Sequence, residues 1–123
     1  MSRLILSRRN NMTRVMITKN ENGYVRELEV IGHADHADSG QDIVCSAISI
    51  LTINTINSID LFTKDRIEIT AQDPERGLIA CSMTGADSED VSADTTLLMK
   101  SYELGVSELT KKYSEISLQI RQL

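Results

Sequence analysis

Both histidines of the chain and one of its two cysteines lie within residues 32–45, which read GHADHADSGQDIVC. A cysteine thiol with a nearby imidazole could act as nucleophile and general base, so Cys45 and His33 are candidates for a hydrolytic pair. If Asp42 caps the helix that follows, Cys45 falls in its first turn. Unpaired backbone amides at that turn favour a thiolate and could later hold an oxyanion.

Two other interpretations of this segment stay open. Cys45 could be a small buried side chain, since reduced cysteines often are. Asp35, Asp38 and Asp42 also bring negative charge that opposes a thiolate, and an imidazolium at His33 would have to offset it.

A metal site is the second alternative for the same residues. His33, His36, Asp38, Asp42 and Cys45 supply enough donors for zinc, although their spacing matches no standard zinc motif. We therefore expect no metal and no cofactor, and we expect His36 to be an exposed loop histidine.

The elements that must position these residues follow from hydrophobic periodicity. Residues 12–20 and 25–32 alternate as two strands, and the Asn-Gly step between them predicts a hairpin. Residues 32–41 are predicted as a loop, 42–62 as a helix, and 66–71 and 78–83 as strands joined by a turn at 72–77. A second helix follows a cap at Asp90 or Ser92, and residues 116–123 could add a last strand. The prediction is an α+β domain with a mostly antiparallel sheet, two main helices and the order ββαββα(β).

The predicted first helix is apolar on more than one side. Its main face is Val44, Ala47, Ile48, Leu51, Thr55, Ile59 and Phe62. Ile43, Ile50, Ile53 and Ile56 widen that face, so we expect a central, mostly covered helix. The second helix has one clear core face, formed by Val91, Thr95, Leu98, Met99, Tyr102, Val106, Leu109 and Tyr113.

The charge is unevenly distributed along the chain. The net charge is −5, but the first 11 residues carry +3, which leaves 10 basic and 18 acidic residues, or −8, in the rest. Such a body disfavours nucleic-acid binding and suits a basic partner or substrate. Asp87, Glu89 and Asp90 could add to the negative charge near the candidate site.

Composition and length set further limits. The 123 residues are about one domain, and 41% of them are hydrophobic. No uninterrupted apolar run reaches membrane-spanning length, and residues 1–11 lack the apolar core and cleavage site of a signal peptide. Cys45 and Cys81 do not form a disulfide framework. We therefore expect a cytoplasmic protein that makes no membrane contact.

The candidate segment also resembles a known family. The residues Gly32-His33-Ala34, Gly40, Asp42-Ile43-Val44-Cys45, Ala47 and Ser49 are similar to the motif of the ribosomal-processing cysteine proteases known as Prp. Element order and length fit this family over residues 12–123, as a single protease domain. Residues 1–11 have no counterpart and could be an N-terminal extension or an alternative start.

The resemblance implies a homodimeric cysteine endopeptidase. It would remove the N-terminal extension of large-subunit ribosomal protein number twenty-seven, cutting after a short hydrophobic-aromatic motif. By the same resemblance Cys45 is the nucleophile and His33 the general base. Asp42 and Ser49 occupy further motif positions, and Gly32 and Gly40 bracket the loop between the two catalytic residues.

Two other functional classes remain in view. A non-catalytic module that binds a basic ribosomal protein would explain the acidic body but not the placement of His33 and Cys45. A metal-binding regulatory domain would use His33, His36 and Cys45, and would depend on both histidines equally.

Overall fold

The computed structural model describes residues 13–32 and 39–123, and the side chains of residues 39–42 fall outside that description. The described elements have the predicted α+β order, ββαββαβ. They are β1 (Thr13–Lys19), β2 (Val25–Ile31), α1 (Ser39–Phe62), β3 (Arg66–Asp73), β4 (Leu78–Thr84), α2 (Ala93–Lys112) and β5 (Ile116–Gln122).

The five strands form one sheet in the order β3-β4-β2-β1-β5. Among the described strands, only β1 and β5 pair in parallel, because the crossover through α2 returns the chain in the same direction. The β1–β2 hairpin turns as predicted at Asn22-Gly23. Gly23 has φ +87°, and the Asn20 side chain accepts the backbone amides of Asn22 and Tyr24.

Both helices pack against one face of the sheet. Val15 and Ile17 on β1 pair with Val30 and Leu28 on β2, and all four side chains are buried toward the helices. The two helices meet where Gly105 of α2 faces Leu51 of α1; a Cβ at position 105 would lie only 2.9 Å from Leu51 Cδ2. A buried hydrogen bond of 2.8 Å joins the hydroxyls of Thr52 and Tyr102 across the same contact.

Helix α1 begins earlier than the sequence predicted. It starts at Ser39, so residues 39–41 are helical rather than loop, and Asp42 is not the N-cap. A glycine inside a helix costs only about 1 kcal/mol, which a long helix tolerates at Gly40. Cys45 is consequently the seventh residue of α1, beyond its first turn.

The prediction that α1 is mostly covered is wrong. Val44, Ile48 and Ile59 are buried as expected, but Ile43, Ile50, Ile53 and Phe62 are 63%, 70%, 49% and 73% exposed. The sheet covers one side of the helix and α2 covers another, so a two-layer fold leaves the third side uncovered. Of the residues expected to widen the core face, only Ile56 is buried.

Over Ile43–Phe62, helix α1 is long and apolar enough to cross a membrane by length and composition. Packing in the core accounts for part of that composition. Val44, Ile48 and Ile59 fill the core, and the span also carries Asp60 and Asn57 on its exposed surface. Helix α1 therefore contributes one face to the core and leaves its other apolar side chains exposed.

Helix α2 matches its predicted face and start. Thr95, Met99, Tyr102 and Val106 are buried, and Ser92 is the N-cap, with its hydroxyl accepting the Thr95 amide at 3.3 Å. Asp65 supports this cap by accepting both the amide and the hydroxyl of Ser92, at 2.8 and 2.7 Å. These hydrogen bonds hold the connection between α1 and β3 against the start of α2.

The Asp65 carboxylate makes the stability of this junction depend on pH. Burial alone would raise the Asp65 pKa, but hydrogen bonds from Thr95, Ser92 and the Ala86 amide outweigh burial and lower it below 3.8. A carboxylate with a lowered folded pKa contributes its full stability above its unfolded pKa, and loses that stability as the pH falls through the folded value.

We therefore expect Asp65→Asn to lower the free energy of unfolding by about 1–2 kcal/mol at pH 7, because an amide cannot replace the carboxylate as an acceptor for all of these donors. The difference from the unmodified protein should shrink as the pH falls below about 4. Urea titrations at pH 7 and pH 3 measure both effects. The exposed Asp87→Asn is the matched control in the neighbouring loop, and an equal loss in that variant would contradict the assignment.

Candidate active site

Cys45 lies where the first half of α1 crosses the start of β1 and the end of β2. Its Sγ is 3.4 Å from the Thr13 hydroxyl, and a Cβ built on Gly32 would lie 3.7 Å from the same sulfur. The side chain is partly exposed. Strand pairing between β1 and β2 therefore brings two backbone segments against one thiol.

The second cysteine has a different environment. Cys81 lies on β4 in the core and is 1% exposed. Burial raises its pKa to about 11, despite a lowering hydrogen bond with the Leu28 backbone. Thiol reactivity requires the thiolate and access to solvent, so Cys81 is an inert core residue and Cys45 is the candidate nucleophile.

A cavity of about 290 Å³ opens beside Cys45. Ser49, one helical turn further along α1, lines it together with Cys45 and Gly32. Most of the remaining wall is apolar and comes from α1, β2, the β3–β4 turn and β4. The other lining residues are Thr13, Val30, Ile48, Ile53, Gln72, Pro74, Gly77, Leu78 and Ile79. The shape and lining suit an apolar side chain next to a nucleophile.

The turn between β3 and β4 fixes the end of β2 at this cavity. The Asp73 carboxylate caps a short 3-10 helix, Pro74–Arg76, and Gly77 follows with φ +62°. The Gly77 carbonyl accepts the Gly32 amide at 3.0 Å, and a Cβ on Gly77 would lie 3.0 Å from the Gly32 oxygen. The lack of a side chain at Gly77 allows this close approach. Sequence reasoning missed the contact: residues 72–77 indicated a turn but not the segment that it contacts.

The structure brings together three of the predicted site residues, Cys45, Ser49 and Gly32. Gly40 and Asp42 lie in the first turn and a half of α1, and the orientation of the Asp42 side chain is outside the description. His33 and His36 also fall outside the described residues. Within residues 13–32 and 43–123, no group of three His, Cys, Asp or Glu side chains could hold a metal ion.

The expected role of first-turn amides at Cys45 is wrong. Cys45 lies about 9 Å along the helix from Ser39, at roughly 1.5 Å per residue, and the charge effect of a helix end fades within one turn. In place of those amides, the described surroundings of the sulfur supply the Thr13 hydroxyl and a largely apolar cavity.

The acidic loop after β4 does not reach the site, contrary to expectation. Asp87 and Asp90 line a separate cavity of about 680 Å³ that also includes Phe62, at the far end of α1. Phe62 is 17 residues from Cys45, or about 26 Å along the helix. There Asp90 accepts a hydrogen bond from Asn20 at 2.6 Å, and Glu89 pairs with Arg26 at 3.7 Å.

Comparison with known proteins shows the family and the fold of this chain. The sequence model of the family named cysteine protease Prp matches residues 12–117. Curated ribosomal processing cysteine proteases Prp from two strains of Staphylococcus aureus are 39% identical over 62 residues. That aligned segment covers 50% of this chain and 58% of the relatives' own length, little more than half of those proteins.

Solved structures share the fold over most of the chain. The essential ribosomal processing protease Prp of S. aureus, in complex with a substrate peptide, is 26% identical with a TM-score of 0.76, covering 89% of this chain and 100% of that one. The same S. aureus protease with a covalently linked product peptide gives a TM-score of 0.75. A Streptococcus mutans protein, 22% identical with a TM-score of 0.77 and coverage of 91% and 99%, shares the fold.

The family match extends over nearly all of the described domain, and it includes the partly exposed cysteine, the glycine beside it and the cavity that they line. This chain belongs to the cysteine protease Prp family.

Proposed function

We propose that this protein is a cysteine endopeptidase with Cys45 as its nucleophile. The observation that carries the proposal is the position of Cys45: a partly exposed thiol that lines a largely apolar cavity, in a chain of the Prp family. Gly32, which directly precedes His33 in the sequence, lies against this thiol. His33 is the proposed general base.

The proposed reaction has two halves. His33 takes the thiol proton, and the Cys45 sulfur attacks the scissile carbonyl to form a tetrahedral intermediate. When this intermediate collapses, the carbon–nitrogen bond breaks, and His33 returns its proton to the leaving amine. Water then gives a proton to His33, and its oxygen attacks the thioester carbon. The carbon–sulfur bond breaks, His33 returns the proton to the sulfur, and the acid product leaves and ionises to a carboxylate in solution.

The remaining motif residues have supporting roles in this proposal. Ser49 is exposed and lines the cavity one turn after Cys45, where its hydroxyl can bond to the substrate backbone. Gly32 keeps the space beside the sulfur clear of a side chain. Gly40 and Asp42 belong to the helical turns that lead to Cys45 and support its position.

The proposed substrate is the N-terminal segment of a ribosomal protein precursor, specifically large-subunit ribosomal protein number twenty-seven. The S. aureus relatives are ribosomal processing proteases, and one is known with a substrate peptide. The cavity beside Cys45 is lined by Val30, Ile48, Ile53 and Leu78, which favours a hydrophobic or aromatic side chain next to the cut. We place this reaction in the cytoplasm, where it needs no cofactor and no contact with nucleic acid or membrane.

We further propose that the protein works as a homodimer that pairs through α1. Ile43, Ile50 and Leu61 are 63%, 70% and 74% exposed, and their spacing places them on one line along the helix. Leu97 and Leu104 of α2 add further exposed apolar surface. Exposed apolar side chains aligned along a helix are typical of a protein–protein interface.

Cys45→Ala should abolish cleavage of the extended ribosomal precursor, because it removes the attacking atom. Cys81→Ala is the matched control: it removes a core thiol and should keep cleavage in any sample that remains folded. His33→Ala should lower the cleavage rate by at least about 100-fold, as expected for loss of a general base, whereas His36→Ala should have a mild effect. Mass spectrometry of the precursor after incubation locates and quantifies the cut.

Other outcomes of this experiment would favour the other two classes. A precursor that binds equally well to the unmodified protein and Cys45→Ala, and is cut by neither, indicates a binding module. Stoichiometric metal in the purified protein, with His36→Ala as damaging as His33→Ala, indicates a metal-binding domain.

Ile50→Lys should convert a dimer into a monomer, because a charge at the centre of an apolar interface would be desolvated without a partner. Sedimentation velocity measures the change in mass. Gln119→Lys places the same charge on the exposed strand β5 and should leave the dimer intact. A protein that sediments as a monomer before any substitution would contradict the proposed dimer.

A further inference from the structure

Thr13 is a buried residue outside the motif that identified the candidate site. It is the first residue of β1, is 1% exposed, and places its hydroxyl oxygen 3.4 Å from the Cys45 sulfur. We propose that Thr13 is a positioning residue for Cys45. In this role the Thr13 hydroxyl donates a hydrogen bond to the Cys45 thiolate and holds the sulfur beside the cavity. This proposal adds a residue to the proposed function, and the catalytic importance of Thr13 rests on that function.

The position of Thr13 is set independently of Cys45. Its backbone amide donates to the Glu115 carbonyl at 2.8 Å, and it pairs in parallel register with Ile116 of β5. β1 lies between β2 and β5, so strand pairing on both sides fixes where the hydroxyl lies. The hydroxyl is therefore a rigid neighbour for the side chain on α1.

The chemistry of a hydroxyl suits both states of the thiol. Toward the protonated thiol it can accept a hydrogen bond, and toward the thiolate it can only donate, keeping its own proton after a rotation about its Cβ–Oγ bond. Hydrogen bonds to an ionised partner are stronger than those between neutral groups. The Thr13 contact consequently favours the thiolate and gives its sulfur a defined direction.

The same hydroxyl also faces Gly32. Thr13 Oγ1 and Cys45 Sγ are each 3.7 Å from the position that a Cβ on residue 32 would occupy. Thr13, Gly32 and Cys45 thus converge on one point from β1, β2 and α1. The Thr13 hydroxyl therefore lies next to the sulfur on the side where Gly32 carries no side chain.

The test compares the rate at which iodoacetamide alkylates Cys45 across pH in the unmodified protein, Thr13→Val and Thr13→Ser. Valine keeps the shape of threonine and removes the hydroxyl, whereas serine keeps the hydroxyl. Thr13→Val should slow alkylation roughly fivefold near neutral pH, as expected for loss of one weak hydrogen bond, and move the pH profile upward. Thr13→Ser should stay within about twofold of the unmodified rate.

Controls separate this role from a general effect on folding. Thr18→Val removes another buried hydroxyl of β1, one that contacts Arg121 rather than the cysteine, and should leave the profile unchanged. Thr13→Ala provides a second hydroxyl-free variant if valine does not fold, as judged by thermal unfolding. Mass spectrometry of the labelled peptide distinguishes Cys45 from the buried Cys81.

Peptide cleavage measured on the same samples distinguishes the two proposals. If the unmodified protein cuts no precursor but the Thr13→Val profile still moves, the proposed function fails and the positioning role stands. Equal alkylation profiles for Thr13→Val and the unmodified protein would overturn the positioning role, whatever the cleavage result. A serine variant as impaired as valine would also overturn it.

Discussion

The burial of one face of α1 against the sheet is the constraint on which the candidate site depends. Val44 and Ile48 are both almost completely buried, and they fix the rotation of the helix at this end. Cys45 is the next residue after Val44, so the same rotation places it at the border between core and cavity. Burial of a large apolar side chain contributes about 1.5–3 kcal/mol. The burial of Val44 and Ile48 thus stabilises the helix rotation that sets the direction of the Cys45 side chain.

A second constraint is the close approach of two backbones beside that helix. Gly32 and Gly77 meet through one hydrogen bond, and a side chain on Gly77 would press against the Gly32 backbone. The approach joins the end of β2 to the turn before β4, and it forms one wall of the cavity. Pro74 and the cap from Asp73 give that turn its shape, so local turn chemistry far along the chain contributes to the surroundings of Cys45.

The two ends of α1 have different physical roles. Near its first residues the helix carries the thiol and lines a largely apolar cavity. At its last residues, polar contacts dominate: Asp65 holds the start of α2, and Asp90 bonds to Asn20. This separation places the acidic loop after β4 far from Cys45, which limits its electrostatic influence in a salt solution, where charges are screened within about 10 Å. The polar contacts that stabilise the fold at one end of α1 are therefore separate from the residues that surround the candidate nucleophile at the other.

The sequence by itself determined the features that arise within short segments. Alternation and periodicity predicted the order of strands and helices, Asn22-Gly23 predicted the hairpin, and the cap of α2 was narrowed to Asp90 or Ser92, because each depends on neighbouring residues only. The spacing of Cys45 and Ser49 placed them on one helical face for the same reason. Only the tertiary structure decided that Thr13 and Gly77 adjoin the site, since strand pairing brings them there across 32 or more residues. It also decided the exposure of Ile43 and Ile50, because an apolar pattern does not reveal how many sides of a helix the rest of the fold can cover.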